Sequence, residues 1–226
     1  MPGANRFHDL VRRLRAAPAD GFAAHAVAAL SEPLDWLDLV RGRLEEMTAG
    51  ALVAGTRRVL VPGVEPKTFL LHDEPGRFRV VLNHFDRDSF ECHRAEGRIS
   101  PHFHRFSFAT RMLRGDYHHM LFDNGGDLRS PRLSLWHHTK DVPGHVYYLP
   151  WDEFHCVLAP ADGTMSLQIR TPVRYRAPQT RVAPPDRDLL VARDAALTAL
   201  TEDPPGSPAA GTVPGFARRW LAEVAA

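Results

Sequence analysis

The segment Ile99-Ser-Pro-His-Phe-His104 decides how the rest of this sequence is interpreted. It places His102 and His104 two positions apart. In a β-strand, residues so spaced point to the same face, so both imidazole rings would converge on one point. Imidazole nitrogen suits iron, zinc, copper or nickel. The pair alone is weak, because two solvent-facing histidines on an exposed strand give the same spacing.

A wider pattern of glycines and a third histidine surrounds this pair. In chain order it consists of Gly97, the histidine pair, Gly115, Gly144, Pro150-Trp-Asp152, His155 and Ala159. This order and spacing resemble the two signature motifs of the cupin superfamily, over about residues 57 to 172. In that family the first motif supplies the His-x-His pair and a Glu, and the second supplies a third His. The resemblance therefore implies a metal site on His102, His104 and His155.

The carboxylate ligand usual in that family is missing. Counting back seven positions from Gly115 gives Phe108, where the family commonly has Glu. A cupin with three histidines resembles the cysteine dioxygenase group of thiol dioxygenases, which lack this carboxylate. Three neutral donors leave about three positions open on an octahedral ferrous ion, enough for a bidentate substrate and dioxygen.

The segment Ser166-Leu-Gln168-Ile-Arg170-Thr-Pro172 resembles the part of cysteine dioxygenases that carries a Ser-x-His-x-Tyr relay. Ser166 is retained, but Gln168 replaces the His and Arg170 replaces the Tyr. The Cys–Tyr crosslink of those enzymes is not possible, because neither residue stands at the matching position. The resemblance thus predicts catalytic roles for these three residues, facing the metal. A solvated polar strand face remains the alternative.

An arginine for a substrate carboxylate is the other feature that the resemblance implies. Arg77-Phe-Arg79 falls about where those enzymes place it. A guanidinium group binds a carboxylate through two parallel hydrogen bonds, so Arg79 is a candidate clamp. A solvated charge on an edge strand is the competing interpretation.

The fold class follows from short runs with period two between about Arg57 and Thr171. These runs are RRVLV, KTFLL, RFRVVLNHF, SFATRML, RLSLWHH, HVYYLP and MSLQIRT, separated by turns such as DEPG, DNGG, VPG and ADGT. Many short strands without intervening helices predict an antiparallel sandwich or barrel. With the resemblance, the prediction is an all-β core, a single cupin barrel (double-stranded β-helix or jelly roll) over residues 57–172, with flanking N- and C-terminal helices.

Helical patterns flank this region. Residues 1–56 are expected to form a helical extension packed on the barrel, with Ser31 capping one helix and Pro33 in its first turn. Residues 173–226 are expected to form a C-terminal helical extension with a proline-rich linker. Its predicted helices lie near Asp186 to Leu200 and Phe216 to Ala225.

Composition excludes several classes of function. The 226 residues are 44% hydrophobic and 24% charged with a net charge of +1, which favours neither nucleic acid nor an anionic membrane surface. No apolar run approaches the roughly 20 residues that span a bilayer. The N-terminal segment is charged and lacks the apolar core of a signal peptide, so we expect a cytoplasmic protein. Cys92 and Cys156 are expected to be free thiols.

Other side chains near the motifs have structural interpretations. The adjacent pairs His118-His119 and His137-His138 each place one ring on either face of a strand, so one ring of each can line the interior. Cys156 must face away from His155 and is expected to be buried packing.

These inferences predict a mononuclear non-haem Fe(II) oxygenase with dioxygen as co-substrate. Its substrate would be small and polar, such as cysteine or another thiol amino acid, in a biosynthetic pathway. Nickel, zinc, manganese or copper are alternatives to iron. A non-redox metal-dependent isomerase or lyase, or a ligand-binding cupin without turnover, are alternatives to the oxygenase. A small molecule is the expected partner, and the oligomeric state stays open between monomer and homodimer.

Overall fold

The computed structural model describes residues 2–59, 66–96, 99–126, 128, 131–174 and 197. This part of the chain begins with four helices: α1 Pro2–Ala16, α2 Phe22–Leu30, α3 Trp36–Glu46 and α4 Ala49–Thr56. The predicted N-terminal helices are therefore present. No helix in the described ranges has the length and apolar character needed to cross a membrane.

The predicted cap of α3 was wrong. Asp35 caps this helix, its side chain accepting a hydrogen bond from the backbone N–H of Asp38 at 2.9 Å. Ser31 instead ends α2, where its hydroxyl donates to the carbonyl of Val27 at 2.8 Å. Ser31 has right-handed helical backbone angles, so it continues the turn of α2 and is not available to start α3.

Eight strands and one further helix follow in the described ranges. They are β1 Lys67–Glu74, β2 Phe78–His84, α5 Arg87–Ala95, β3 Phe108–Arg114, β4 Tyr117–Asp123, β5 Ser134–Asp141, β6 Val146–Leu149, β7 Phe154–Leu158 and β8 Met165–Arg170.

Two details of the strand prediction were wrong. The run beginning at Arg57 is not a strand, since Arg57 is the C-cap of α4 and Arg57 to Val59 form a turn; residues 60–65 lie outside the described ranges. The strands are also interrupted by α5. Asp86 caps this helix by accepting a hydrogen bond from the backbone N–H of Ser89 at 2.7 Å.

The strands form two antiparallel sheets, in the orders β1-β2-β8-β3-β6 and β5-β4-β7. The chain at His102 extends the smaller sheet through an antiparallel bridge to His155 on β7. The order β2-β8-β3-β6 opposite β5-β4-β7-His102 is that of a jelly roll, with β1 added at one edge. This confirms the predicted fold class.

The outer face of the larger sheet carries the main apolar core. Leu167 and Ile169 on β8 and Val80 on β2 pack in one buried cluster with Phe7 of α1 and Leu30 of α2. Burial of each such side chain contributes about 1.5–3 kcal/mol. The N-terminal helices thus cover one face of the larger sheet and leave its other face to the jelly-roll interior.

Gly115, which is part of the motif pattern, lies in the turn between β3 and β4 with φ +67°. A Cβ atom there would collide with the side chain of Thr164. Glycine is therefore needed here for both its backbone conformation and its lack of a side chain.

The predicted C-terminal helices lie outside the described residues, apart from Leu197. The Leu197 side chain packs against the cluster formed by the helices and the larger sheet.

Candidate metal centre

Three histidines converge at the jelly roll, with His155 buried, His104 half-buried and His102 exposed. His102 and His104 come from the segment before β3, and His155 comes from β7. Their ligand nitrogens all lie within 4.8 Å of one another. The Nε2 atoms of His104 and His155 are 2.8 Å apart. The predicted strand at this segment is reduced to the bridge at His102, yet the two rings converge with the third as the spacing predicts.

The protonation states of these rings suit metal binding. Nδ1 of His102 lies 2.9 Å from the carbonyl oxygen of Ser100. A carbonyl only accepts, so Nδ1 carries the proton and Nε2 presents its lone pair. Two nitrogens bound at right angles to one ion at about 2.0–2.1 Å would be about 3 Å apart, close to the His104–His155 separation. The residues could therefore hold a divalent metal ion.

Electrostatics keep the cluster neutral. Burial holds the pKa of His104 and of His155 well below the ordinary histidine value, and protonation of the nearby His102 would lower both further. Neutral imidazole is the form that binds metal, so near pH 7 neither ring must lose a proton first.

An aromatic wall adjoins the cluster where a carboxylate is common in cupins. Phe108 is buried, and its ring centroid lies 5.0 Å from that of His104 and 6.0 Å from that of His155. Phe106 stacks on the other side of His104 at 5.2 Å. Within the described residues, no Asp or Glu joins the metal-binding group. Glu153, the acid nearest to His155 in sequence, instead accepts a hydrogen bond from Trp136.

The polar stripe of β8 lies on the sheet face opposite the helices. Ser166 and Gln168 are buried, and the Gln168 amide donates to the hydroxyl of Thr110 at 3.3 Å. Nε of Arg170 donates to the Gln168 carbonyl oxygen, and Nη2 donates to Asn83 at 3.4 Å.

The guanidinium of Arg170 also reaches the edge of the histidine cluster. It lies 4.8 Å from the ring centroid of Phe106, which stacks on His104. The positive charge of Arg170 is a further cause of the lowered pKa of His104, after burial and His102. Gln168 thus holds Arg170 beside the cluster.

Arg79 and Arg77 have other partners. Nε of Arg79 donates to Asp73 at 3.0 Å, across the β1–β2 pair. Arg77 donates to the carbonyls of Arg15 and Ala17 at the end of α1. Arg79 is the cross-strand neighbour of Arg170, so the two share the inner face. Its guanidinium, however, is paired with a carboxylate of the protein itself.

Sequence reasoning missed part of the hydrogen-bonded surroundings of His155. Of the pair His118-His119, the inward ring is His119, whose Nε2 lies 2.9 Å from Nδ1 of His155. Behind it, Nδ1 of His119 is 3.2 Å from a carboxylate oxygen of Asp141, whose side chain is fully buried. Asp141 follows His137 and Thr139 at strand spacing, which could have indicated a shared face.

The other side chains near the motifs make structural contacts. His118 and His138 contact each other at 2.9 Å, away from the cluster. Cys156 is buried in an apolar cluster, and burial raises the pKa of its thiol to about 12. Tyr147 bonds to Tyr117 through their hydroxyls at 2.8 Å, and burial raises the pKa of both phenols.

The strand order and the converging histidines together define the architecture. This is a cupin fold. No family model matches the chain, and no curated protein matches it. Solved structures with a similar fold share little sequence. KdgF from a Halomonas species is 18% identical over 49% of this chain and 85% of its own, with a TM-score of 0.33.

Two other solved structures show the same low level of similarity. The DMSP lyase DddQ from Ruegeria pomeroyi is 11% identical, with 58% of this chain and 57% of its own covered and a TM-score of 0.35. Tomato vicilin is 9% identical, with 55% and 33% covered and a TM-score of 0.38. Function is therefore inferred from the residues of this chain.

Proposed function

We propose that this protein is a metal-dependent cupin enzyme that uses one Fe(II) ion and dioxygen to oxidise a small thiol amino acid such as cysteine. The observation that carries the proposal is the group of three converging imidazoles, of which His155 is buried, His104 half-buried and His102 exposed, with Phe108 in place of a carboxylate. When bound, the ion would supply a Lewis acid and a one-electron redox centre with open positions for both reactants.

The chain itself binds and orients the substrate in this proposal. Arg170 receives the substrate carboxylate, because its guanidinium lies next to the aromatic wall of the cluster and is oriented by amide oxygens. The resemblance predicts a catalytic role for Gln168. The nitrogen and the oxygen of its side-chain amide both form hydrogen bonds within the protein. We therefore assign Gln168 the role of holding Arg170 in place. Ser166 lies deeper on the same stripe, opposite Asn83.

The aromatic wall has a second role in the proposal. Phe106 and Phe108 flank His104 and remove water from one side of the cluster. Excluding water strengthens the electrostatic hold of Arg170 on a carboxylate, because charges interact more strongly at low dielectric. Arg79 contributes indirectly at most, since Asp73 already neutralises it.

The test combines metal analysis with oxygen uptake. Protein purified without chelator is assayed for iron, nickel, zinc, manganese and copper, then reloaded anaerobically with Fe(II) and supplied with cysteine and related thiols. Oxygen consumption that requires Fe(II) and substrate supports the proposal, and the His104→Ala variant is the control. Equal turnover in an anaerobic chamber would replace the oxygenase with a non-redox lyase or isomerase.

A further inference from the structure

A buried carboxylate lies behind one of the three histidines. The side chain of Asp141 at the end of β5 has no exposed surface. One of its oxygens, Oδ1, accepts hydrogen bonds from the hydroxyl of Thr139 at 2.9 Å and from Nδ1 of His145 at 2.8 Å. The other oxygen, Oδ2, lies 3.2 Å from Nδ1 of His119, an ion-pair contact without the alignment of a hydrogen bond. A buried charge is costly unless it is paired, so this arrangement requires an explanation.

Burial alone would raise the pKa of Asp141, but His119, Thr139 and His145 together outweigh it and the pKa falls below its ordinary value. The carboxylate is therefore ionised near pH 7 and can only accept hydrogen bonds.

The Asp141 carboxylate determines which ring nitrogen carries the proton in His119 and, through it, in His155. Nδ1 of His119 is the ring nitrogen that faces the anionic oxygen Oδ2, so a proton is favoured there, and in the neutral ring Nε2 is then an acceptor. That Nε2 lies 2.9 Å from Nδ1 of His155, so Nδ1 of His155 donates. Nε2 of His155 is left with its lone pair, and it is the atom that approaches His104.

We infer that Asp141 and His119 are positioning residues that hold His155 in the Nδ1–H tautomer, with Nε2 directed at the metal. The inference rests on the metal centre proposed above. Metal-binding histidines generally need an acceptor for their other ring nitrogen, and a carboxylate behind it raises the basicity of the ligand. Here the carboxylate acts through a second imidazole.

The substitution Asp141→Asn should reverse the donor and acceptor roles in the contacts between Asp141, His119 and His155 while keeping a side chain of the same size. Thr139 and His145 both donate at the Oδ1 position, so the amide oxygen should stay there and the NH2 group should face His119. His119 would then accept at Nδ1, donate from Nε2, and force His155 into the Nε2–H tautomer. In that form the nitrogen aimed at the cluster carries a proton.

The experiment measures the tautomer of His155 in metal-free protein by ¹⁵N NMR with labelled histidine, assigning its signals by their loss in His155→Gln. We expect Nδ1–H in the wild type and Nε2–H in Asp141→Asn. Affinity for Co²⁺ or Zn²⁺, measured by calorimetry, should fall about 10–100-fold in the variant. His145→Gln, which removes the other histidine on Asp141, should retain both the tautomer and the affinity.

An Nε2–H tautomer in the wild type, or an unchanged tautomer or affinity in a folded Asp141→Asn protein, overturns the inference. If the variant does not fold, the wild-type tautomer alone decides. If the tautomers behave as expected but wild-type protein binds no metal, the positioning role of Asp141 and His119 is retained and the proposed function is rejected.

Discussion

Nε2 of His104 lies 2.8 Å from Nε2 of His155, although the two residues are 51 positions apart in sequence. Burial keeps both rings neutral. Two neutral imidazole nitrogens at this separation are arranged as ligands of one metal ion. The separation connects the two halves of the motif pattern in space.

Loss of a histidine from this cluster should remove the metal. In His155→Ala we expect Co²⁺ or Zn²⁺ affinity to fall more than about 100-fold, since even outer hydrogen-bond partners are worth 10–100-fold. Calorimetry on folded protein measures this. His118→Ala is the matched control, because His118 contacts His138 outside the cluster. Undiminished affinity in His155→Ala would refute the site.

Phe108→Glu tests the vacant carboxylate position. Without metal, a carboxylate at this buried site beside His104 and His155 costs several kcal/mol or takes up a proton, so the Tm of metal-free protein should fall. With metal, the new group becomes a ligand. We expect added Zn²⁺ to raise the Tm of this variant more than that of wild type, as followed by circular dichroism.

Phe108→Leu separates the effect of the carboxylate from the loss of the aromatic ring. Its Tm should also fall, but the increase produced by Zn²⁺ should match that of wild type. Equal metal-induced increases in Phe108→Glu and Phe108→Leu would show that position 108 does not reach the ion.

The convergence of the three histidines could be predicted from the sequence. The residues that hydrogen-bond to them, such as His119, could not. His102 and His104 share a face by spacing alone, and the glycines fix where the turns fall. On β4, by contrast, both faces are buried: Met120 packs in one apolar cluster and Tyr117 in another. Alternation then does not reveal which face is interior, so His119 could not be chosen over His118.

The helix caps show a similar limit. Ser31 and Asp35 are both suitable N-cap residues four positions apart, and local sequence does not choose between them. The choice depends on where α2 ends, which is set by packing of Leu30 against the larger sheet. Asp86 is a suitable N-cap residue for α5, but the strand-like sequence on both sides of this short helix favoured a continuous run of strands.

Acid should destabilise the fold partly through His84, away from the metal centre. Burial, and then the charge of Lys67, lowers the pKa of His84 to about 4, and its Nδ1 has no hydrogen-bond partner among the described residues. The unfolded chain takes up this proton near pH 6.5, before the folded one does. The stability that neutral His84 provides is complete above about pH 6.5 and is lost as the pH falls towards 4.

The effect can be measured by urea unfolding at pH 7 and pH 5. His84→Gln should lose roughly 2 kcal/mol less stability than wild type over this interval. The exposed His25 provides a control, and His25→Gln should follow the wild-type slope. An identical pH slope in His84→Gln would mean that other groups account for the acid sensitivity.

The two inner-face arginines differ in their position relative to the histidine cluster, and this difference predicts which one binds a substrate carboxylate. Arg79 already pairs with Asp73 at 3.0 Å. Arg170 donates to the amide oxygens of Gln168 and Asn83, which orient its guanidinium at the Phe106 ring beside the histidine cluster.

Arg170→Ala should therefore raise the apparent Michaelis constant for cysteine about tenfold to hundredfold, because a hydrogen bond to a charged group is worth about 1.5–3 kcal/mol. Cysteamine, the same thiol amine without a carboxylate, should show little change, which separates carboxylate binding from damage to the fold. Iron content should stay at the wild-type level, since Arg170 is not in the metal-binding group. Steady-state oxygen uptake measures both constants, and Arg79→Ala serves as the comparison. If Arg79→Ala raises the constant for cysteine and Arg170→Ala does not, the carboxylate site lies at the β1–β2 edge of the sheet.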